Sequence, residues 1–278
     1  MLSVNASDLT TQKIHQYLLG AIGPRPIAFA STIDKDGRRN LSPFSFFNVF
    51  SAAPPILIFS PARSGRSGET KNTFDNVKEV TEVVINVVNY DIVQQMSLSS
   101  SPYAKGVDEF IKAGLTPIKS DLVKPFRVKE SPVQFECKVN QIIELGQNGG
   151  AGNLIICEVL RIHIKDEVLD ENGLIDQKKI DLVSRMGGNW YCRADENSMF
   201  EVAKPLTTIG IGVDQIPEHI KNNKLLTGND LGLLASVESL PTQEEINNYP
   251  KNTTDIYIEA KKLIEKGEII NAWKILLK

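Results

Sequence analysis

Between residue 27 and about residue 192 the apolar positions fall in short runs and strict alternations, the texture of a β-protein. Residues 27–33 predict a strand, and Asp36-Gly37 is a strong hairpin signal. Residues 40–50 then predict the returning strand, with Phe44, Phe46, Phe47 and Phe50 supplying bulk. Pro54-Pro55 breaks the chain, and the apolar runs at 56–60 and 83–88 suit buried strands. Residues 133–140 alternate apolar and polar without exception, a glycine-rich turn follows at 146–152, and 154–165 returns as a long strand. Short strands with few helices predict a barrel rather than a doubly wound sheet.

Helical signals frame this region. Residues 8–20 predict a short helix ended by Gly23-Pro24-Arg25-Pro26. A second helix is expected from Lys71-Asn72-Thr73 to about Glu79, capped by Asn72 or Thr70, and 90–115 reads as mixed helix and loop. After Arg193 the character changes: no arginine occurs to the end and helical signals dominate. Thr227-Gly228-Asn229-Asp230 leads into a short apolar helix, and two further helices are expected over 243–264 and 267–277. The expected organisation is a mainly β domain over 1–193 with peripheral helices, and a helical C-terminal extension over 194–278 that docks on protein rather than on a membrane.

A length of 278 residues, 41% hydrophobic and 23% charged, is ordinary for a globular chain. The net charge of -3 argues against a nucleic-acid-binding protein. No run approaches the length of a membrane span, and the opening residues lack a basic segment leading into an apolar one. Cys137, Cys157 and Cys192 are too far apart for a metal knuckle or a CxxC pair. A cytoplasmic protein is the expectation. Cys137 shares its face with Val133, Phe135 and Val139 and belongs to the core, Cys157 is open, and Cys192 falls in a loop. His163 shares a face with Arg161 and Lys165 and is expected on the solvent side. His15 and His219 have no partners at ligand spacing, so no metal site is expected.

Two clusters and one oddity carry candidate chemistry. Arg63-Ser-Gly-Arg66-Ser-Gly, followed by Lys71-Asn72-Thr73, puts cations, hydroxyls, glycines and a helix N-terminus within about ten residues, which is what a phosphate needs. A solvated loop before an ordinary helix explains the same residues. Residues 40–48 interleave polar side chains with phenylalanines, which suits a planar ring needing an apolar wall and edge hydrogen bonds. A core strand with one solvated face explains them equally. Arg25, held between two prolines, either aims a guanidinium or marks a rigid turn. No nucleophile–base pair can be argued, so no catalytic residue is assigned.

In order along the chain, Gly23-Pro-Arg-Pro-Ile-Ala-Phe-Ala-Ser-Thr32, Asp36-Gly37, Asn40-Leu-Ser-Pro-Phe-Ser-Phe-Phe-Asn48, Lys71-Asn72-Thr73, the 133–165 hairpin and Arg185-Met-Gly187-Gly188-Asn-Trp-Tyr191 resemble the flavin reductase-like proteins. The resemblance covers roughly residues 10–193, and residues 209–230 resemble the helical extension of a long form. It implies an FMN-binding split β-barrel, FMN at a homodimer interface, and flavin reduction by NAD(P)H, with a two-component monooxygenase as a possible partner. Carried over residue by residue, Arg25, Ser31 and Thr32 would line the flavin site, and Asn40 with Ser45, Phe46, Phe47 and Asn48 would run along the ring and ribityl chain. Arg63, Lys71, Asn72 and Thr73 would hold the phosphate, and Arg185, Gly187, Gly188 and Tyr191 would close the site. Shorter members commonly place a histidine at the start of the strand over 154–165, where this chain has Asn153, so no acid catalyst is assigned there. An FMN-dependent electron carrier without NAD(P)H activity and an oxidase of a vitamin B6 phosphate are the alternatives.

Overall fold

The Asp36-Gly37 turn folds the chain back on itself in the computed structural model, which describes residues 1–250 and 255–278. Gly37 sits at φ +82°, a left-handed backbone that glycine adopts without strain. The buried Asp34 carboxylate ties the turn by accepting from the Asp36 and Arg38 amides at 3.0 and 2.9 Å. The hairpin pairs β1 (Ala28–Ile33) with β2 (Arg39–Phe44). The remaining strands are β3 (Phe47–Ala52), β4 (Pro55–Phe59), β5 (Glu82–Asn86), the short β6 (Pro117–Ile118) and β7 (Arg127–Val128), β8 (Val133–Glu144), β9 (Asn153–Ile164), β10 (Val183–Arg185) and β11 (Tyr191–Arg193). Around them lie α1 (Thr11–Ala21), α2 (Asn72–Glu79), α3 (Val93–Ser99) and α4 (Glu109–Ala113).

Seven strands form one antiparallel sheet in the order β2-β1-β5-β8-β9-β4-β3. Its two edge strands are consecutive in sequence, separated only by Ser45 and Phe46. Three Cα steps span at most about 11 Å, so the edges must meet at this end and the sheet must roll up. Phe44 of β2 and Phe59 of β4 touch across the seam, their ring centroids 5.6 Å apart. Beside them the Ser60 amide donates to the Phe46 carbonyl at 2.8 Å. Among the described residues no ladder joins β2 to β3, so this is a split β-barrel. The single strand expected over 40–50 is therefore two strands. β2 belongs to β1 and β3 to β4, and one continuous strand could not serve both edges.

The barrel is filled by Ala28, Ala30, Phe44, Phe59, Ile85 and Cys137, with Val77 of α2 packed against them. A second core, including Phe29, Leu41, Met96 and Phe110, lies under α3 and α4, which explains why all six residues of β1 are buried. Cys157, left open by the sequence, is enclosed like Cys137, and burial pushes both thiols well above the ordinary thiol range. Cys192 lies in β11 rather than in a loop.

His163 departs from the solvent-side expectation. Its Nε2 lies 2.6 Å from Oε1 of Glu136, a carboxylate with no exposure that also accepts from the Asp121 and Leu122 amides at 2.9 and 2.6 Å. The loop that carries those amides partly covers this face of β8 and β9, so the face is not simply solvated.

The chain forms two compact units, Met1–Phe200 and Glu201–Lys278. The second holds α5 (Glu218–Lys221), α6 (Gly228–Ala235), α7 (Gln243–Asn248), α8 (Ile256–Glu265) and α9 (Ile269–Leu276). Thr227 and Asp230 cap α6 reciprocally, and Lys261 of α8 reaches Asp230 at 2.6 Å. Trp273 has no exposure and its Nε1 donates to the Leu234 carbonyl at 2.8 Å. The helix expected over 243–264 is interrupted: α7 ends ahead of Pro250 and helix resumes in α8, while residues 251–254 lie outside the described residues. No described helix is long and apolar enough to cross a membrane.

Glu136 generates a pH prediction. Burial alone would raise its pKa, but the Asp121 and Leu122 amides and the His163 ring outweigh it and hold the carboxyl below its ordinary 4.5. Its contribution is therefore fully present above pH 4.5 and lost as pH falls through the lower folded value. Glu136→Gln should cost about 2 kcal/mol at neutral pH. In urea titrations the gap between wild type and variant should narrow steadily once the pH drops below 4.5.

Candidate functional site

Three adjoining hollows run along the first unit where the sheet edges meet. The middle one, about 240 Å³, is lined by Pro43, Ser45, Phe46, Ser60, Lys71 and Ser100. It shares Pro43, Ser45 and Ser100 with a hollow of about 220 Å³ that Arg185 and Tyr191 close. On the other side it shares His15 and Ala62 with a hollow of about 720 Å³ reaching Arg63 and Arg66. Together they make one groove. Its centre is the link between β2 and β3, whose residues have no ladder to fill and so present Ser45 and the partly exposed Phe46 to the cleft.

Lys71 stands at the N-cap position of α2 and makes no side-chain cap, in place of the expected Asn72 or Thr70. Thr70 instead donates to Asp75 at 2.8 Å, and Asn72 is the first helical residue. The leading amides of the helix are thus left for an acceptor from outside, beside an exposed ammonium. A helix start of this kind is able to take an anion.

A buried polar network fixes that helix start. Asn40 Nδ2 donates to Thr73 Oγ1 at 2.9 Å and to Thr32 Oγ1 at 3.2 Å, and Asn76 Nδ2 donates to the same Thr32 oxygen at 3.1 Å. Thr32, Asn40 and Thr73 are therefore brought together, with one another rather than lining the groove. They bolt α2 to the β1–β2 hairpin and so position Lys71.

The other expected site residues divide. By the pleat, Ser31 shares the face of Phe29 and Leu41 on the α3–α4 side, its Oγ enclosed and without a partner among the described residues. Phe47 packs against the barrel core, and exposed Asn48 accepts from the Val49 amide at 2.8 Å on the edge strand. Asn72 borders a separate small crevice with Asn40. Arg63 does reach the groove, but its Nη2 is held by Glu144 at 3.1 Å and Gln147 at 2.9 Å. Arg185 and Tyr191 face each other across β10 and β11 with the guanidinium 4.6 Å from the ring centroid.

Arg25 is a clamp. Its guanidinium donates to the carbonyls of Leu19 at 3.0 Å, Met186 at 2.9 Å and Ile22, and its backbone exchanges hydrogen bonds with Arg185. Burial, and secondarily the Arg185 charge, lower its pKa from the ordinary value. Gly187 lies so near α1 that a Cβ would stand 3.2 Å from the Gly20 Cα. The segment carrying Arg185 and Tyr191 is thereby tied to α1.

Several groove residues escaped sequence reasoning. His15 and Leu19 come from α1, and Met96, Ser97 and Ser100 from α3 and its end. The serine-rich stretch at 97–101, interrupted by Leu98, was the available signal. Asn153, at the start of β9, is buried, donating to the Pro61 carbonyl at 2.8 Å.

Residues 21–181 match the family model of the flavin reductase like domain. An uncharacterized protein of Aquifex aeolicus (strain VF5) is 39% identical over 182 residues, 65% of this chain and 90% of that one. Among solved structures, nitrilotriacetate monooxygenase component B from Bacillus cereus is 31% identical with a TM-score of 0.68, covering 73% of this chain and 98% of that one. A protein of Shewanella frigidimarina NCIMB 400 with a split barrel domain is 27% identical, with a TM-score of 0.59 over 71% of this chain and 96% of that one.

Arg25→Ala leaves three carbonyls without their donor. It should lower stability by roughly 3 kcal/mol, measured by urea unfolding. It should also loosen the 185–191 segment, seen as faster amide exchange there than in β8.

Proposed function

Because the chain belongs to the flavin reductase-like family, we propose that its groove binds FMN and that the protein passes a hydride from NAD(P)H to the flavin. The coarser statement, a flavin-related oxidoreductase, follows from the family itself. One observation carries the finer one: the uncapped start of α2, with free Lys71 beside it, opens into a groove whose next wall is Pro43, Ser45 and Phe46. An anion site and an apolar wall edged with hydroxyls stand next to each other, and that donor set fits a phosphorylated tricycle.

In this reading Lys71 and the Asn72 and Thr73 amides hold the phosphate. Pro43 and Phe46 give the ring a flat apolar boundary, Ser45 and Ser100 offer hydroxyls to its polar edge, and Arg185 and Tyr191 close the far end. When bound, FMN supplies the redox chemistry, accepting a hydride from reduced nicotinamide and giving electrons to an acceptor. The chain's own residues bind and orient, which is why no acid–base pair is needed among them.

The reading extends to assembly. Edge strand β3 exposes Val49 and Phe50, each 63% accessible, beside unpaired backbone. A second copy of the chain covering that edge would shelter both. The likeness to a monooxygenase component B supports delivery of reduced flavin to a separate monooxygenase.

Lys71→Ala should weaken FMN binding by about tenfold or more at low salt and change turnover at saturating flavin far less; unchanged FMN affinity would remove the phosphate assignment. Anaerobic addition of NADH or NADPH to the FMN-loaded protein should bleach the flavin band, whereas a flavin that stays oxidised would mark an electron carrier. Light scattering should return the mass of two chains.

A further inference from the structure

The largest hollow of the groove, about 720 Å³, is left over once FMN is assigned to the other two. Its walls come from three places: Gln12 and His15 of α1, the loop with Arg63 and Arg66, and the turn at Gly149 and Gly150. Loop and turn are locked together. The Arg63 amide donates to the Ala151 carbonyl at 2.8 Å, and the Gly150 amide donates to the Arg63 carbonyl at 3.0 Å. A Cβ at Gly149 would stand 2.9 Å from the Ser64 carbonyl oxygen, so only glycine permits this approach. The hollow has a built backbone floor.

Its electrostatics are one-sided. Among the described residues no Asp or Glu lines it. Arg63 is engaged by Glu144, which also takes Lys78 at 3.0 Å. Arg66 is exposed and has no ion pair among the described residues. The hollow meets the flavin groove at His15 and Ala62.

We propose that this hollow receives the 2′-phosphorylated adenosine end of a dinucleotide donor, with Arg66 on the 2′-phosphate, so that the protein prefers NADPH to NADH. A donor whose nicotinamide faces the flavin has an adenosine half to house, and this neighbour is continuous with the middle hollow. In doubly wound dinucleotide-binding folds, sites that select the unphosphorylated ribose place a carboxylate on its 2′-hydroxyl, whereas an arginine accommodates the 2′-phosphate, and the same chemistry applies to any ribose pocket. Here the carboxylate is missing and the arginine is free. A guanidinium suits the task because its planar fork meets two phosphate oxygens at once. His15, at the junction, and Gln12, three residues before it in α1, are placed for the bridging phosphates.

The proposal rests on the FMN reading, and the test separates the two. FMN-loaded protein is titrated calorimetrically with 2′,5′-ADP and with 5′-ADP, and the same is done for Arg66→Glu and Arg66→Lys. Wild type should bind 2′,5′-ADP about tenfold or more tightly than 5′-ADP. Arg66→Glu should erase that preference while still taking up FMN and keeping the wild-type circular dichroism, and Arg66→Lys should keep part of it. Equal affinities in wild type, or an undiminished preference in Arg66→Glu, would overturn the donor assignment and leave FMN binding standing. A wild-type protein that takes up no FMN would overturn both.

Discussion

The structure depends on a two-residue bridge. Because only Ser45 and Phe46 connect β2 to β3, the opposite edges of a seven-stranded sheet are forced together at one end. The roll of the sheet, the contact of Phe44 with Phe59 and the enclosed barrel core follow from that tether. Since the edges meet without pairing, the same tether leaves a seam, and the groove lies along it. Closure and cleft have one cause. Longer connections would let the edges drift apart and would remove both.

Charge is distributed in the same spirit. The cations that hold the architecture are saturated: Arg25 by three carbonyls, and Arg63 by Glu144 and Gln147. Two other cations at the groove, Lys71 and Arg66, make no ion pair among the described residues. A buried or saturated guanidinium has little attraction left for a ligand, whereas an unengaged one has lost none of it. This division separates saturated from unengaged positives more sharply than their place in the sequence does.

Local pattern exposed the hairpins well. The alternation over 133–140 became β8, Asp36-Gly37 became the turn, and the helix after Lys71 kept its expected length. What it could not show was partnership. Alternation over 40–50 says that a strand forms, but not that its halves pair with different neighbours. Ser31 and Thr32 are adjacent in sequence yet point to opposite faces of β1, one into the α3–α4 core and the other into the Asn40–Thr73–Asn76 network. His163 was placed by its own strand alone, because the loop that covers it comes from residues about forty positions earlier. The groove's α1 and α3 walls were hidden for the same reason: packing between distant segments leaves no mark in a short window.

The two barrel sulfurs have a consequence for chemical durability. Cys137 and Cys157 are sealed from solvent and held in the neutral sulfhydryl form, because the interior disfavours the anion. A neutral, inaccessible sulfhydryl is a poor nucleophile toward peroxide or alkylating agents. Among the three cysteines, dissolved electrophiles therefore meet half-buried Cys192, next to Tyr191 in β11. Whatever oxidative wear the molecule suffers at cysteine begins at Cys192, outside the three hollows of the groove, and the barrel that shapes the groove stays intact.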